Sequence, residues 1–190
     1  MAKLKKTEIV KDSVLGKINE AKKSEEIAKL LEQRANLGRN RALNDKQRAN
    51  EMYLNAVRAY AAAGDPFIAV ATAQMRMQSE YVMGDPEIQR GYVHEVISIF
   101  KSEGLYDAAA NFLARVSKEC QKKIKKECEE HSRYIADCKK TLGKEARAYA
   151  TLAKNIKKEA EARKKEAREQ EIETARQNGD LEMLAELVDN

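Results

Sequence analysis

The residues of this chain best suited to chemistry are three cysteines and two histidines, four of which, Cys120, Cys128, His131 and Cys138, fall in one stretch without Gly or Pro. Such a set invites a zinc reading, which requires about four donors in tetrahedral reach of one ion. On a helix, Cys120, His131 and Cys138 project within about 20° of one another and Cys128 about 80° away, yet Cys120 and Cys138 stand roughly 27 Å apart along the axis. One ion cannot hold them all. Only Cys128 and His131 can share a metal, with His94 as a distant further donor. The same separation excludes a disulfide within this helix and leaves only cross-links between subunits. Buried cysteine behaves as a small apolar side chain, so no metal is expected.

Other catalytic patterns are weaker. Glu and Asp occur throughout, as expected of charged helices, and no Ser-His-Asp, zinc or dinucleotide signature accompanies them. The chain is read as non-enzymatic, with no catalytic residue and no cofactor. Both prolines lie in the same tripeptide, Gly64-Asp65-Pro66 and Gly84-Asp85-Pro86. A phosphate-cradling loop needs several glycines and a Lys-Ser/Thr pair after a strand, which neither copy has. Each residue instead suits a junction between helices. Gly can end one helix in the left-handed conformation, Asp can cap the next, and Pro fits its first position. Met75, Met77 and Met83 suit either core gaps or an adaptable binding surface, and core filling is the expectation.

The elements that position these residues are helices. Charged residues make up 35% and aromatics 5% of the 190-residue chain, and no stretch approaches a membrane span. The basic N-terminus has no apolar run behind it, so no secretory signal is expected and a cytoplasmic location follows. The net charge of +5 conceals sharp blocks. Residues 139–168 hold 11 Lys/Arg against 4 Asp/Glu, and residues 169–190 hold 1 against 7.

Four regions are expected. Residues 1–44 form a basic helix and loop, the helix running from Thr7 to Asn36 through or broken at Gly16, with Ile18, Ala21, Ala28, Leu31 and Ala35 on one face. Residues 45–116 form a body of helical hairpins. Its second helix carries the stripe Met52, Tyr53, Ala56, Val57, Tyr60 and Ala63. Its third, Pro66 to Met83, opens with FIAVATA, which is apolar all round and predicts the most buried turns of the molecule. Its fourth, Pro86 to Ser102, presents Ile88, Tyr92, Val93, Val96, Ile97 and Phe100 and ends at Gly104.

Residues 107–177 form a long antiparallel hairpin sharing its first helix with the body. That helix is expected to run to Leu142 and reverse at Gly143, with Ala109, Leu113, Val116, Cys120, Ile124, Cys128, His131, Ile135, Cys138 and Leu142 along an 11-residue repeat. Its far section relies on pairs such as Glu159 with Arg163 and Glu161 with Lys165. Residues 178–190 form a short acidic amphipathic tail expected to dock through Leu181, Leu184, Leu187 and Val188.

Residues 93–116, VHEVISIFKSEGLYDAAANFLARV, resemble a tetratricopeptide repeat, with Phe100 near the end of the first helix, Gly104 at the turn, Tyr106 after it and Ala109 at the small contact. Tyr60, Gly64 and Ala69 in YLNAVRAYAAAGDPFIAVATA take the same offsets. The resemblance implies stacked hairpins with a groove for a protein partner, although the two turns lie 40 residues apart and not the family's 34 or so.

Two functional readings follow. The first is a protein-binding scaffold whose concave face presents Tyr53, Met77, Tyr81 and Tyr92 where these are exposed. The second is a nucleic-acid or ribosome binder that contacts phosphates through Arg39, Arg41, Lys46, Arg48, Lys139, Lys140, Lys144, Arg147, Lys154, Lys157 and Lys158. A homo-oligomer through the long hairpin is a third possibility.

Overall fold

The computed structural model describes residues 2–37, 42–130 and 135–178, and every described element is an α-helix. These are α1 (Ala2–Leu37), α2 (Ala42–Ala62), α3 (Pro66–Met77), α4 (Glu80–Gly84), α5 (Pro86–Ser102), α6 (Tyr106–Glu130) and α7 (Ile135–Asn178). None is long and apolar enough to cross a membrane. The chain is thus all-α: stacked helical hairpins followed by a long antiparallel helical hairpin.

Two turns define the stack and share one hydrogen-bond pattern. At the first, Asp65 N–H donates to Tyr60 O at 3.0 Å and Gly64 N–H to Ala61 O at 3.0 Å. At the second, Leu105 N–H donates to Phe100 O at 2.8 Å and Gly104 N–H to Lys101 O at 3.1 Å. This is the Schellman closure, which requires a left-handed residue, and Gly64 (φ 77°) and Gly104 (φ 72°) supply it. After each turn Ala69 and Ala109 are fully buried, which lets the paired helices approach closely. The hairpins α2–α3 and α5–α6 stack, with α2 packed on α5 and α3 on α6. Phe100 and Phe112 meet edge to face at 6.4 Å within the second hairpin.

The segment between the hairpins departs from expectation. The third helix stops at Met77 instead of Met83, because Ser79 begins a new one by accepting from Val82 N–H at 3.4 Å. The resulting α4 lies between the two turns. Asp85 caps α5, accepting from Glu87 N–H at 2.8 Å and Ile88 N–H at 3.3 Å, with Pro86 at its start. Gly84 is not left-handed, since only Gly64 and Gly104 have positive φ among the described residues. The two Gly-Asp-Pro copies share their cap and differ in their stop.

The long hairpin does not reverse at Gly143. The first arm ends at Glu130, and α7 runs unbroken through Gly143, whose carbonyl accepts from Arg147 Nε at 3.0 Å. Ser117 Oγ donates to Ala146 O at 2.8 Å, and Lys164 Nζ reaches Asp107 Oδ2 at 2.9 Å, which fixes α6 and α7 as antiparallel. Glycine is tolerated inside a helix at about 1 kcal/mol, and the packing of Ala146, Tyr149, Ala153 and Ile156 on α6 outweighs that cost. The eleven-residue series is consequently divided. Ala109, Leu113, Val116 and Cys120 are buried, Ile124 is half-buried, and His131 and the side chains of Cys128, Ile135, Cys138 and Leu142 lie outside the described residues.

At the other end of the molecule, α1 passes straight through Gly16 and packs antiparallel on α2 through Ala21, Ala28, Leu31 and Ala35. A polar node ties it to the body. Arg76 of α3 is 1% exposed and donates to Glu32 of α1, to Asn50 Oδ1 at 2.8 Å and to Lys46 O at 2.8 Å, while its guanidinium lies 5.7 Å from the Tyr53 ring centre. Tyr53 OH donates to the other Glu32 oxygen at 3.3 Å, and Thr72 Oγ1 donates to Glu25 Oε1 at 2.6 Å.

Candidate docking surface

The first turn of α3 reverses the burial expected of it. Asp65 accepts from Ile68 N–H at 3.0 Å and Pro66 occupies the first position, so the turn is well formed. Ala69, Val70 and Ala73 face the core, whereas Phe67 is 78% exposed and Ile68 40% exposed. FIAVATA is apolar all round because half of it packs inward and half meets solvent. Nothing else in the described structure covers Phe67.

Beside Pro66 the second Schellman turn and the arm of α7 enclose a cleft of about 410 Å3, with Leu105, Tyr106, Ala108, Ala160 and Ala167 among its walls. Its rim is charged and largely paired. The Arg163 guanidinium lies 4.7 Å from the Tyr106 ring centre and 3.6 Å from Glu159, and Lys164 bonds Asp107. Lys101 Nζ holds Glu159 at 2.8 Å, and that hydrogen bond lowers the Glu159 pKa below the usual carboxylate value. The cleft thus joins an apolar floor to a paired polar rim, with an exposed aromatic alongside.

The aromatic and Met residues expected on a concave face lie elsewhere. Tyr53 (2% exposed), Met77 (1%) and Tyr92 (2%) are interior, and the side chain of Tyr81 lies outside the described residues. Tyr92 OH donates to Ala73 O at 3.2 Å, and burial pushes its pKa well up. Burial and the Glu32 carboxylate together raise Tyr53 to about 12. These rings are committed to holding α1, α2, α3 and α5 together, so they offer nothing to a partner.

The basic residues divide. Lys144, Arg147, Lys154, Lys157 and Lys158 are exposed along α7; Arg48 is exposed and Lys46 half-buried on α2. α2 packs on α1, α3 and α5, and α7 packs on α6, so the two groups belong to separate surfaces. Arg39 and Arg41, and the side chains of Lys139 and Lys140, lie outside the described residues. Of the expected α7 pairs, Glu159 meets Arg163, while Lys165 meets Glu169 at 3.7 Å.

Cys120 is fully buried, and Gln89 Nε2 donates to its sulfur at 3.2 Å. Burial raises its thiol pKa, which suppresses thiolate reactivity. No group of three metal-ligating side chains occurs among the described residues, and His94 is exposed on α5. Nearby, Tyr149 OH and Glu145 Oε2 are buried without a hydrogen-bond partner among the described residues.

Sequence reasoning missed both Phe67 and Arg76. Arg76 carried a signal, since it stands three and seven residues after Ala73 and Ala69 on the buried stripe, where an arginine demands partners. Phe67 carried none, because an all-round apolar turn does not say which side its neighbours cover. Comparison of the chain with protein-family models, curated proteins and solved structures returns no match.

Proposed function

We propose that this chain is a non-enzymatic docking protein that binds a protein partner at the end of its hairpin stack, through Phe67 and the neighbouring cleft. The observation that supports this most is Phe67 itself, 78% exposed on a well-capped helix whose inner face, Ala69, Val70 and Ala73, is buried. Burying such a ring is worth roughly 1.5–3 kcal/mol. A partner supplying one apolar side chain for the cleft, with a mixed-charge edge for Arg163, Lys164 and Asp107, fits this surface. The stack holds the patch rigidly, because both turns that border it are closed by paired backbone hydrogen bonds.

Photo-crosslinking tests the proposal. The Phe67 side chain is replaced by benzoylphenylalanine, and the same probe is placed at the exposed Glu161 of α7. A discrete protein adduct formed in the source cell from position 67 and not from position 161 is the expected result. Equal, diffuse labelling from both positions contradicts the reading.

A further inference from the structure

A second groove lies between the arms of the long hairpin and differs from the docking cleft in charge. It measures about 380 Å3 and is floored by alanines such as Ala114 and Ala150. Lys118 of α6 and Lys154 and Lys157 of α7 border it, with the Asn111 and Gln121 amides. Small floor residues keep this seam open where leucine would fill it. No carboxylate and no aromatic ring line it.

Some lysines on these arms are neutralised by carboxylates, and the three that border the groove are not. On the same arms, Lys122 bonds Glu119 at 2.8 Å, Lys164 bonds Asp107 at 2.9 Å and Lys165 meets Glu169 at 3.7 Å. Lys118, Lys154 and Lys157 pair with no carboxylate among the described residues. Positive charge thus goes unneutralised where two helices form a concave wall, which is where low-dielectric surroundings strengthen attraction for an anion. Arg147 and Lys158 extend the charge along the outer face of α7. A run of cations along a groove matches a run of anions.

We infer that the α6–α7 groove binds the phosphate backbone of a nucleic acid, independently of base sequence and of the docking surface at Phe67. The amides of Asn111 and Gln121 supply hydrogen-bond donors to phosphate or sugar oxygens. Without a ring in the groove there is no platform for base stacking, so neither strand composition nor order is read.

The test measures binding of the full chain to fluorescein-labelled 20-mers of oligouridine and oligoadenosine by anisotropy, from 50 to 200 mM salt. The intact protein is compared with Lys118→Gln/Lys154→Gln/Lys157→Gln and with a variant of equal net charge, Lys22→Gln/Lys23→Gln/Arg58→Gln, whose residues are exposed on α1 and α2. Three lost contacts to a single strand lower the slope of log K against log salt by about 2, so across this range the intact protein loses about 16-fold more affinity than the groove variant. The expected result is that change for the groove variant alone, with similar affinities for the two oligomers. Equal losses in both variants, or no binding by the intact protein at 50 mM salt, overturn the inference. Each single lysine variant is expected to lower the slope by about 0.7, which carries the test if the triple variant loses helicity.

Discussion

Replacing Arg76 with alanine is expected to destabilise the fold more than any other single truncation on α3. The side chain is 1% exposed and ties three helices together through Glu32, Asn50, the Lys46 carbonyl and the Tyr53 ring. Removing one member of a fully buried ion pair costs about 3–5 kcal/mol, because its partner is left charged and dry. The Glu32 side chain is 30% exposed and can be partly rehydrated, which reduces that share. The Asn50 carboxamide and Lys46 carbonyl each lose a hydrogen bond worth about 1 kcal/mol. The net expectation is about 2–4 kcal/mol, using the same sources. For a chain of this size that corresponds to a fall in Tm of roughly 4–16 °C. Urea denaturation followed by circular dichroism at 222 nm measures it. A cycle with Glu32→Ala should give a coupling of about 1–2 kcal/mol, within the range for contacting pairs. A shift below about 0.5 kcal/mol for Arg76→Ala, the size of an ordinary surface substitution, would refute the claim that this node joins α1 to the body.

Gly143→Ala should stabilise by up to about 1 kcal/mol, since the added methyl meets only Arg147 Nη2 at 3.8 Å and the position is helix interior; a loss in thermal denaturation would contradict an uninterrupted α7. Gly64→Ala and Gly104→Ala should each cost about 1–2 kcal/mol in the same assay, because both residues have positive φ although space for a methyl is open. Ala69→Leu or Ala73→Leu should lower the urea midpoint by an amount equivalent to about 1–3 kcal/mol, as both alanines are fully buried between helices. Stability should also fall at alkaline pH. Tyr53 and Tyr149 are both raised from 10.0 to about 12, and Tyr60 and Tyr92 are raised as well. The folded state therefore holds these phenolic protons more tightly, so their contribution is full below pH 10 and declines as pH rises toward 12. Absorbance at 295 nm should show part of the tyrosine set ionising only with unfolding; ionisation of all seven near pH 10 in the folded protein would contradict it.

Local chemistry was the legible part of this fold. Asp65-Pro66 and Asp85-Pro86 start helices where the sequence places them, because a carboxylate cap and a fixed φ act within one turn of chain. The stripe of Tyr53, Ala56, Val57 and Tyr60 identified the inner face of α2, and the shared offsets of Tyr60/Gly64/Ala69 and Phe100/Gly104/Ala109 anticipated two matched turns. Gly143 was misleading because glycine ends helices and is also tolerated within them. The helix that holds Gly143 instead extends back to Ile135, with the glycine in its interior. Ser79 was passed over as a helix start because no acidic partner stands three residues later to form a capping box. The docking patch was illegible for a tertiary reason. Whether Phe67 is core or surface depends on how far α7 and the second turn reach, and no residue near Phe67 encodes that distance.

The docking role is tested most directly by Phe67→Ser. At 78% exposure the ring contributes little to the fold, so the urea midpoint should change by less than about 0.5 kcal/mol. Binding should change far more, because losing a buried ring at an interface costs roughly 1.5–3 kcal/mol, or about 10–150-fold in affinity. The measurement is quantitative affinity purification from the source cell after nuclease treatment, comparing intact and Phe67→Ser protein side by side. At least one protein should be recovered with the intact chain and reduced about tenfold or more with the variant. The same proteins recovered in equal amounts with both chains would contradict it.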